Sequence, residues 1–234
     1  MKKSLIALAV LAASGAVLAQ SSVQVYGVAD IWFGSKTVKE NGVKQYPDSQ
    51  TGLFDGGVSN SRFGFKGSED LGGGLKANFQ LEQGFSLDTG ASDPAGFNRQ
   101  AWVGLSGGFG EVQLGKAYNA FDDVSAMAAT VFDSDLAPIN NVFVTTLAAG
   151  AFDNTIKYST PSFGGFSGGL SYSFGEDKTA LTKASKMYAL SGKYQNGPLA
   201  VGIGYFDADT DALGLGAADA SATRIAGSYD LGVA

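Results

Sequence analysis

The 234-residue sequence contains no cysteine and no histidine. Without cysteine, no disulfide can brace the fold and no lipid can be attached to a Cys after processing. Without histidine, the Ser-His and Cys-His nucleophile pairs and every His-based metal site are excluded. An enzyme is therefore not expected, and neither is a resident metal or cofactor. Long apolar runs are also missing after the first 19 residues, which excludes a helical membrane protein.

The first 19 residues are different. Lys2 and Lys3 precede an apolar run from Leu5 to Ala19, which ends in Val17-Leu18-Ala19. Those features predict a signal peptide cleaved after Ala19, with an uncleaved anchor as the alternative. Removing Lys2 and Lys3 lowers Lys+Arg from 16 to 14 against 22 Asp+Glu, a net charge of 14 − 22 = −8. Nucleic acid is not an expected partner of so acidic a chain.

What is abundant is glycine, with 34 residues, and aromatics, at 12%. A glycine-rich disordered chain would not carry 44% hydrophobic residues, whereas many alternating strands joined by tight turns would. Period-2 alternation picks out ten strands. The first runs from Val23 to Phe33, with Val23, Val25, Ala29, Ile31 and Phe33 opposite Gln24, Tyr26, Asp30 and Trp32. The second is Asn60 to Gly67, and the third sets Leu75, Ala77, Phe79 and Leu81 against Lys76, Asn78, Gln80 and Glu82. The fourth and fifth centre on Ala101, Val103 and Leu105 and on Val112 and Leu114. The sixth and seventh centre on Ile156 and Tyr158 and on Leu170, Tyr172 and Phe174. A weaker eighth holds Tyr188 and Leu190; the ninth runs from Leu199 to Tyr205 and the tenth from Arg224 to Leu231.

The connections separate a barrel from a soluble sandwich. Long polar links span 34–59, 83–98, 118–153, 175–185 and 207–222, and short Gly/Pro/Asn-rich ones span 68–74, 106–110, 161–165 and 195–198. Long and short links alternate strictly. That predicts an antiparallel up-and-down transmembrane β-barrel with elaborate loops on one rim, and a Greek-key sandwich gives no reason for it. In lipid such a sheet has to close, because an open edge leaves unpaired N–H and C=O groups in hydrocarbon.

If the apolar set faces lipid, Arg62, Lys66, Lys76, Asn78, Gln80, Glu82, Gln113, Lys157, Arg224 and Asp230 face inward. Burying that many charges dry costs several kcal/mol each, so a water-filled lumen is expected, with a salt-bridged plug as the alternative.

Two blocks carry a family resemblance: Ser59 to Ala77, SNSRFGFKGSEDLGGGLKA, and Phe97 to Lys116, FNRQAWVGLSGGFGEVQLGK. With Val23 to Asp30 and Tyr158 to Phe166, they resemble the general porins of Gram-negative bacteria, in particular the betaproteobacterial branch. The resemblance extends over nearly the whole mature chain. It implies an outer-membrane homotrimer of barrels of about 16 strands, open to small hydrophilic solutes and ions. It also implies a third loop folded into the lumen, with acidic residues facing a ladder of basic residues on the wall.

Carried over by position, the resemblance makes Arg62, Arg99 and Lys116 the basic wall. The link from Tyr118 to Asp153 becomes the constriction loop, with Asp133 and Asp135 as its main acids and Asp122 and Asp123 beside them. Lys66, Lys76, Glu82 and Lys157 become other pore-lining residues. Simple alternation puts Arg99 and Lys116 on the lipid side, so a bulge or a position above the apolar band has to turn them inward. The sequence departs from the family at Ala151, where an arginine is usual, so anion preference should be mild. Ten strands against the implied number lead us to expect a fragment of a longer barrel. An outer-membrane hydrolase and a plugged adhesive barrel are the rival readings. The phosphate-loop-like spacing from Gly110 to Lys116 and the Ca²⁺-loop-like start at Asp207 lack the residues that would complete them.

Overall fold

A computed structural model describes residues 22–37, 39–40, 43–44, 49–92, 94–128, 150–176, 184–209 and 220–232. The strands are β1 Ser22–Val28, β2 Ile31–Lys36, β3 Lys39–Glu40, β4 Val43–Lys44, β5 Gln50–Asp55, β6 Arg62–Gly72 and β7 Leu75–Gly84. They continue with β8 Gln100–Gly107, β9 Gly110–Tyr118, β10 Ala151–Ser159, β11 Phe166–Phe174, β12 Lys186–Asn196, β13 Leu199–Asp209 and β14 Ala220–Tyr229. Among the described residues one helix, α1, spans Asp122–Ala128 between β9 and β10.

Ten strands form one antiparallel sheet in the order β1-β6-β7-β8-β9-β10-β11-β12-β13-β14, with β1 and β14 as its edges. From β6 onward each strand pairs with the next in the chain. All ten expected strands are present in up-and-down order. The β6–β7 connection is tighter than expected: Gly72, Gly73 and Gly74 all have positive φ, which lets the chain reverse where a side chain would be strained.

Two faces follow from the alternation. On one, Val25, Val103, Leu114, Ile156, Leu170, Ile203 and Ile225 are exposed, with Ile225 at 79%. Side chains so apolar and so open match a surface solvated by hydrocarbon. Aromatic pairs mark the two ends of β12 on this face, Tyr188 with Tyr205 and Tyr194 with Phe166. On the other face a polar row crosses the sheet in register, Ser68, Asn78, Gly104, Gln113, Lys157 and Ser171. The helix α1 rests on this second face, which is therefore the inner one.

The expected first strand, Val23 to Phe33, is divided. Its second half leaves the main sheet and pairs with β5 as a separate hairpin, capped by the short β3–β4 pair. The cause is Asp30, whose carboxylate accepts the N–H groups of Gly57, Val58 and Ser59 at 2.9, 2.9 and 3.0 Å. That clasp brings the return strand beside the outgoing one, so the link at 34–59 is a β-hairpin rather than an irregular loop. Asp30 lies beyond β1, and the N–H groups of Val58 and Ser59, then Gly57, hold its carboxyl below the usual range. The clasp persists above that range and is lost only as pH falls through the lowered value.

Candidate functional site: the charged inner wall

Glu82 is the centre of the first cluster. It sits on the inner face of β7 in register with Gly64 and Gln100, and it is only 4% exposed. Arg99 donates from Nε to its Oε1 at 2.7 Å, and Arg62 Nε lies 3.8 Å from its Oε2. Tyr26 donates its hydroxyl to Oε2 at 2.8 Å and accepts from the Gln80 amide at 2.7 Å. Burying a carboxylate is costly unless its lone pairs are filled, and here Arg99 and the Tyr26 phenol donate to it while Arg62 adds a second positive charge nearby.

The backbone explains how these groups meet. Tyr26 is opposite Gly64, and a Cβ at Gly64 would lie 2.7 Å from the Tyr26 hydroxyl and 2.6 Å from the Leu81 carbonyl. Only a glycine there lets the ring lie across β6 to reach β7. Arg62 is the first residue of β6, steadied by Ser59 Oγ at 2.9 Å and the Asn60 carbonyl at 2.8 Å. Arg99 precedes β8, and its N–H still donates to the Glu82 carbonyl at 3.1 Å. Its side chain crosses Gly84 and donates from Nη2 to Tyr118 at 2.9 Å. A bend before the strand thus turns Arg99 inward, which alternation could not foresee.

Lys116 is not brought to this cluster. It keeps its register opposite Ala101, and its ammonium donates to Asp153 Oδ1 at 2.6 Å. The bulge in this region falls on β10, between Phe152 and Thr155, and leaves the β8–β9 register continuous. Lys66 is an exposed inner-face residue with its ammonium 5.1 Å from the Tyr26 ring centroid. Lys76 is exposed opposite Asp70, near the β6–β7 turn.

A second cluster surrounds α1. Asn119 accepts the Asp122 N–H on its side chain at 2.9 Å, as a helix cap does, and Asp122 and Asp123 occupy the first turn, where the helix dipole favours acids. Asp123 accepts from Lys157 at 2.7 Å, and that ammonium's side chain is 8% exposed. Phe121 and Val124 are fully buried against the wall. The wall accommodates them because it is glycine there: a Cβ at Gly204 would stand 3.2 Å from Phe121, and one at Gly202 would stand 2.8 Å from Met127 Sδ. Arg224, on β14, donates to Ser125 Oγ and lies 4.9 Å above the Phe121 ring. Asp133 and Asp135 lie outside the described residues.

Several members of these clusters carry no signal in the sequence. Tyr26 reads as an ordinary strand aromatic, Tyr118 as the first residue of a long link and Ser125 as a loop serine. Gly202 and Gly204 fall on the inner parity of the ninth strand, opposite Val201 and Ile203, but nothing in the alternation says what rests on them.

An antiparallel up-and-down sheet that is apolar outside and charged inside, with a connection folded onto the inner face, defines the wall of an outer-membrane barrel. The profile described as Gram-negative porin matches residues 5–234, and the chain belongs to that family. It is 40% identical over 242 residues to outer membrane porin protein 32 of Delftia acidovorans, across 100% of this chain and 67% of that protein. It is 34% identical over 206 residues to major outer membrane protein P.IB of Neisseria meningitidis, across 87% of this chain and 58% of that protein. Among solved structures it is similar to an anion-selective porin from Comamonas acidovorans, with TM-score 0.72 and 30% identity, covering 91% of this chain and 65% of that one. The chain thus spans roughly two thirds or less of the length of these relatives. Family and relatives place the protein in the bacterial outer membrane and among channel proteins rather than enzymes.

Proposed function

We propose that the protein is a diffusion porin whose water-filled lumen is narrowed between a basic wall, Arg62 and Arg99 around Glu82, and the loop that begins with α1. The observation that carries this reading is the convergence of two arginines, one opening β6 and one preceding β8, on one inner-face carboxylate. Two cations on one anion leave a local charge of 2 − 1 = +1 at the wall. The loop after β9 supplies the opposing acids. Asp122 begins α1 beside Asp123, whose charge is met by Lys157, and Asp133 and Asp135 are the further acids we assign to the loop. The name of the Comamonas relative, an anion-selective porin, agrees in sign with a net basic wall. Ala151 removes one expected arginine, so the preference for anions is mild. Lys116, held by Asp153, contributes less than Arg62 and Arg99.

Residues 1–19 act as a signal peptide that delivers the chain to the outer membrane. There it assembles as a homotrimer, its apolar face against lipid and neighbouring copies and its lumen open to small hydrophilic solutes and ions. The complete gene product, reconstituted in planar bilayers, is expected to give stepwise ohmic currents. A folded, membrane-inserted protein that carries none would reject the channel reading.

A further inference from the structure

The cations that α1 covers are as notable as those it leaves open. Lys157 and Arg224 stand on the same inner face as Arg62 and Arg99, yet both are engaged by the one short helix. Lys157 is closed off by Asp123 at 2.7 Å, and Arg224 is taken up by Ser125 and the face of Phe121. The helix is seated by shape. Phe121, Val124 and Met127 enter the space left by Gly202 and Gly204, and the Ala120 N–H donates to Ser171 Oγ at 3.0 Å. Beneath it the Ser191 hydroxyl is buried without a hydrogen-bond partner among the described residues, in register with Gly169 and Gly204. The Asp123 carboxylate and Ala120 lie over Gly169 within 3.3 Å of where a Cβ would stand.

We propose that α1 is a charge mask as well as a narrowing element: seated, it hides Lys157 from permeating ions behind Asp123, and unseated, it adds Lys157 to the basic wall. Lys157 is then a specificity-determining residue, and the glycine notch at 202 and 204 sets how much of its charge the lumen sees. The physical basis is distance. A fixed charge acts over about one Debye length, roughly 8 Å at physiological salt, and a cation neutralised by a carboxylate within a hydrogen bond has little field left to exert. Unseating α1 frees Lys157 while Asp123 moves away with the helix. Mean lumen charge thus becomes more positive as the passage widens. This inference rests on the channel reading above.

The 234 residues contain no cysteine, so once any cysteine elsewhere in the complete gene product is changed to Ser, Ser191→Cys places a single thiol under the helix with almost no change in size. In that single-cysteine protein, the thiol should resist a small membrane-impermeant methanethiosulfonate. Adding Gly202→Val and Gly204→Val, which fill the notch from the wall side, should raise its labelling rate by about tenfold or more, as local opening exposes a protected group. Phe121→Ala, which removes the knob from the helix side, should do the same without altering β13. Folding of each variant is checked by heat-modifiable migration on gels. In bilayers, the unseated variants should show larger unit conductance and a reversal potential moved toward anions. Adding Lys157→Met to them should reverse part of that move. Two results would overturn the inference: equal labelling in all backgrounds, or fast labelling with unchanged selectivity. A protein that conducts in no background would instead reject the channel reading, with labelling still deciding whether α1 is seated.

Discussion

Replacing Glu82 by Gln should destabilise the barrel and, in the molecules that still fold, make the channel more selective for anions. The variant keeps shape and one acceptor but removes the charge that both arginines share. Arg62 and Arg99 are each 20% exposed, so water screens part of the repulsion that remains between them. Breaking a buried ion pair from one side costs about 3–5 kcal/mol in the least solvated cases, and the lower part of that range is expected at these partly wetted arginines. Local wall charge rises from +1 to +2, and selectivity follows the same sign. Urea unfolding of the refolded protein measures the first effect, and the reversal potential in a salt gradient measures the second. A loss of stability with no change in selectivity would mean that the cluster braces the wall without facing the ion path.

Ile203→Arg should be the most damaging of the simple surface changes, although Ile203 is 53% exposed and by the logic of a soluble protein should tolerate a charge. It lies in mid-strand, in register with Ile225, on the face solvated by hydrocarbon. An arginine there costs about 2–4 kcal/mol near the bilayer midplane. Ser68→Arg, on the inner polar row, should change stability by less than about 1 kcal/mol, since surface substitutions in water usually do little. The contrast between the two tests the face assignment directly. Equal effects would mean that the exposed apolar residues do not meet lipid.

Much of this architecture is legible in the sequence because one physical demand repeats along it. Each strand must turn one set of side chains to hydrocarbon and the other to water, so Val103 and Leu105 alternate with Trp102 and Gly104 whatever the neighbouring strand is. Alternation is blind to partners, however. Ile31 and Phe33 continue the parity of Val23 and Val25, but Asp30 binds three backbone N–H groups from the returning chain and transfers this stretch from β6 to β5. Nothing in the period reports that exchange.

The candidate site was legible in its charges and not in its geometry. Arg62 and Glu82 fall on the inner parity of their strands, so both were expected there. Arg99 falls on the wrong parity and points inward only because it precedes β8, a matter of one peptide. Lys116 has the same parity problem without the same remedy, since the bulge that would be needed lies on β10. Glycine was the least readable signal. Gly64, Gly202 and Gly204 are required by what lies across them, the Tyr26 ring or the side chains of α1, and those partners are remote in sequence.

The central claim is that Arg62 and Arg99 face the path that ions take. The most direct measurement is the reversal potential of the complete gene product in a KCl gradient, with both arginines replaced by Gln, at low salt and again near 1 M. The account predicts a shift toward cations at low salt that largely disappears at high salt, where the screening length falls to about 3 Å. An unchanged reversal potential at low salt, in a variant that folds and conducts, would contradict it.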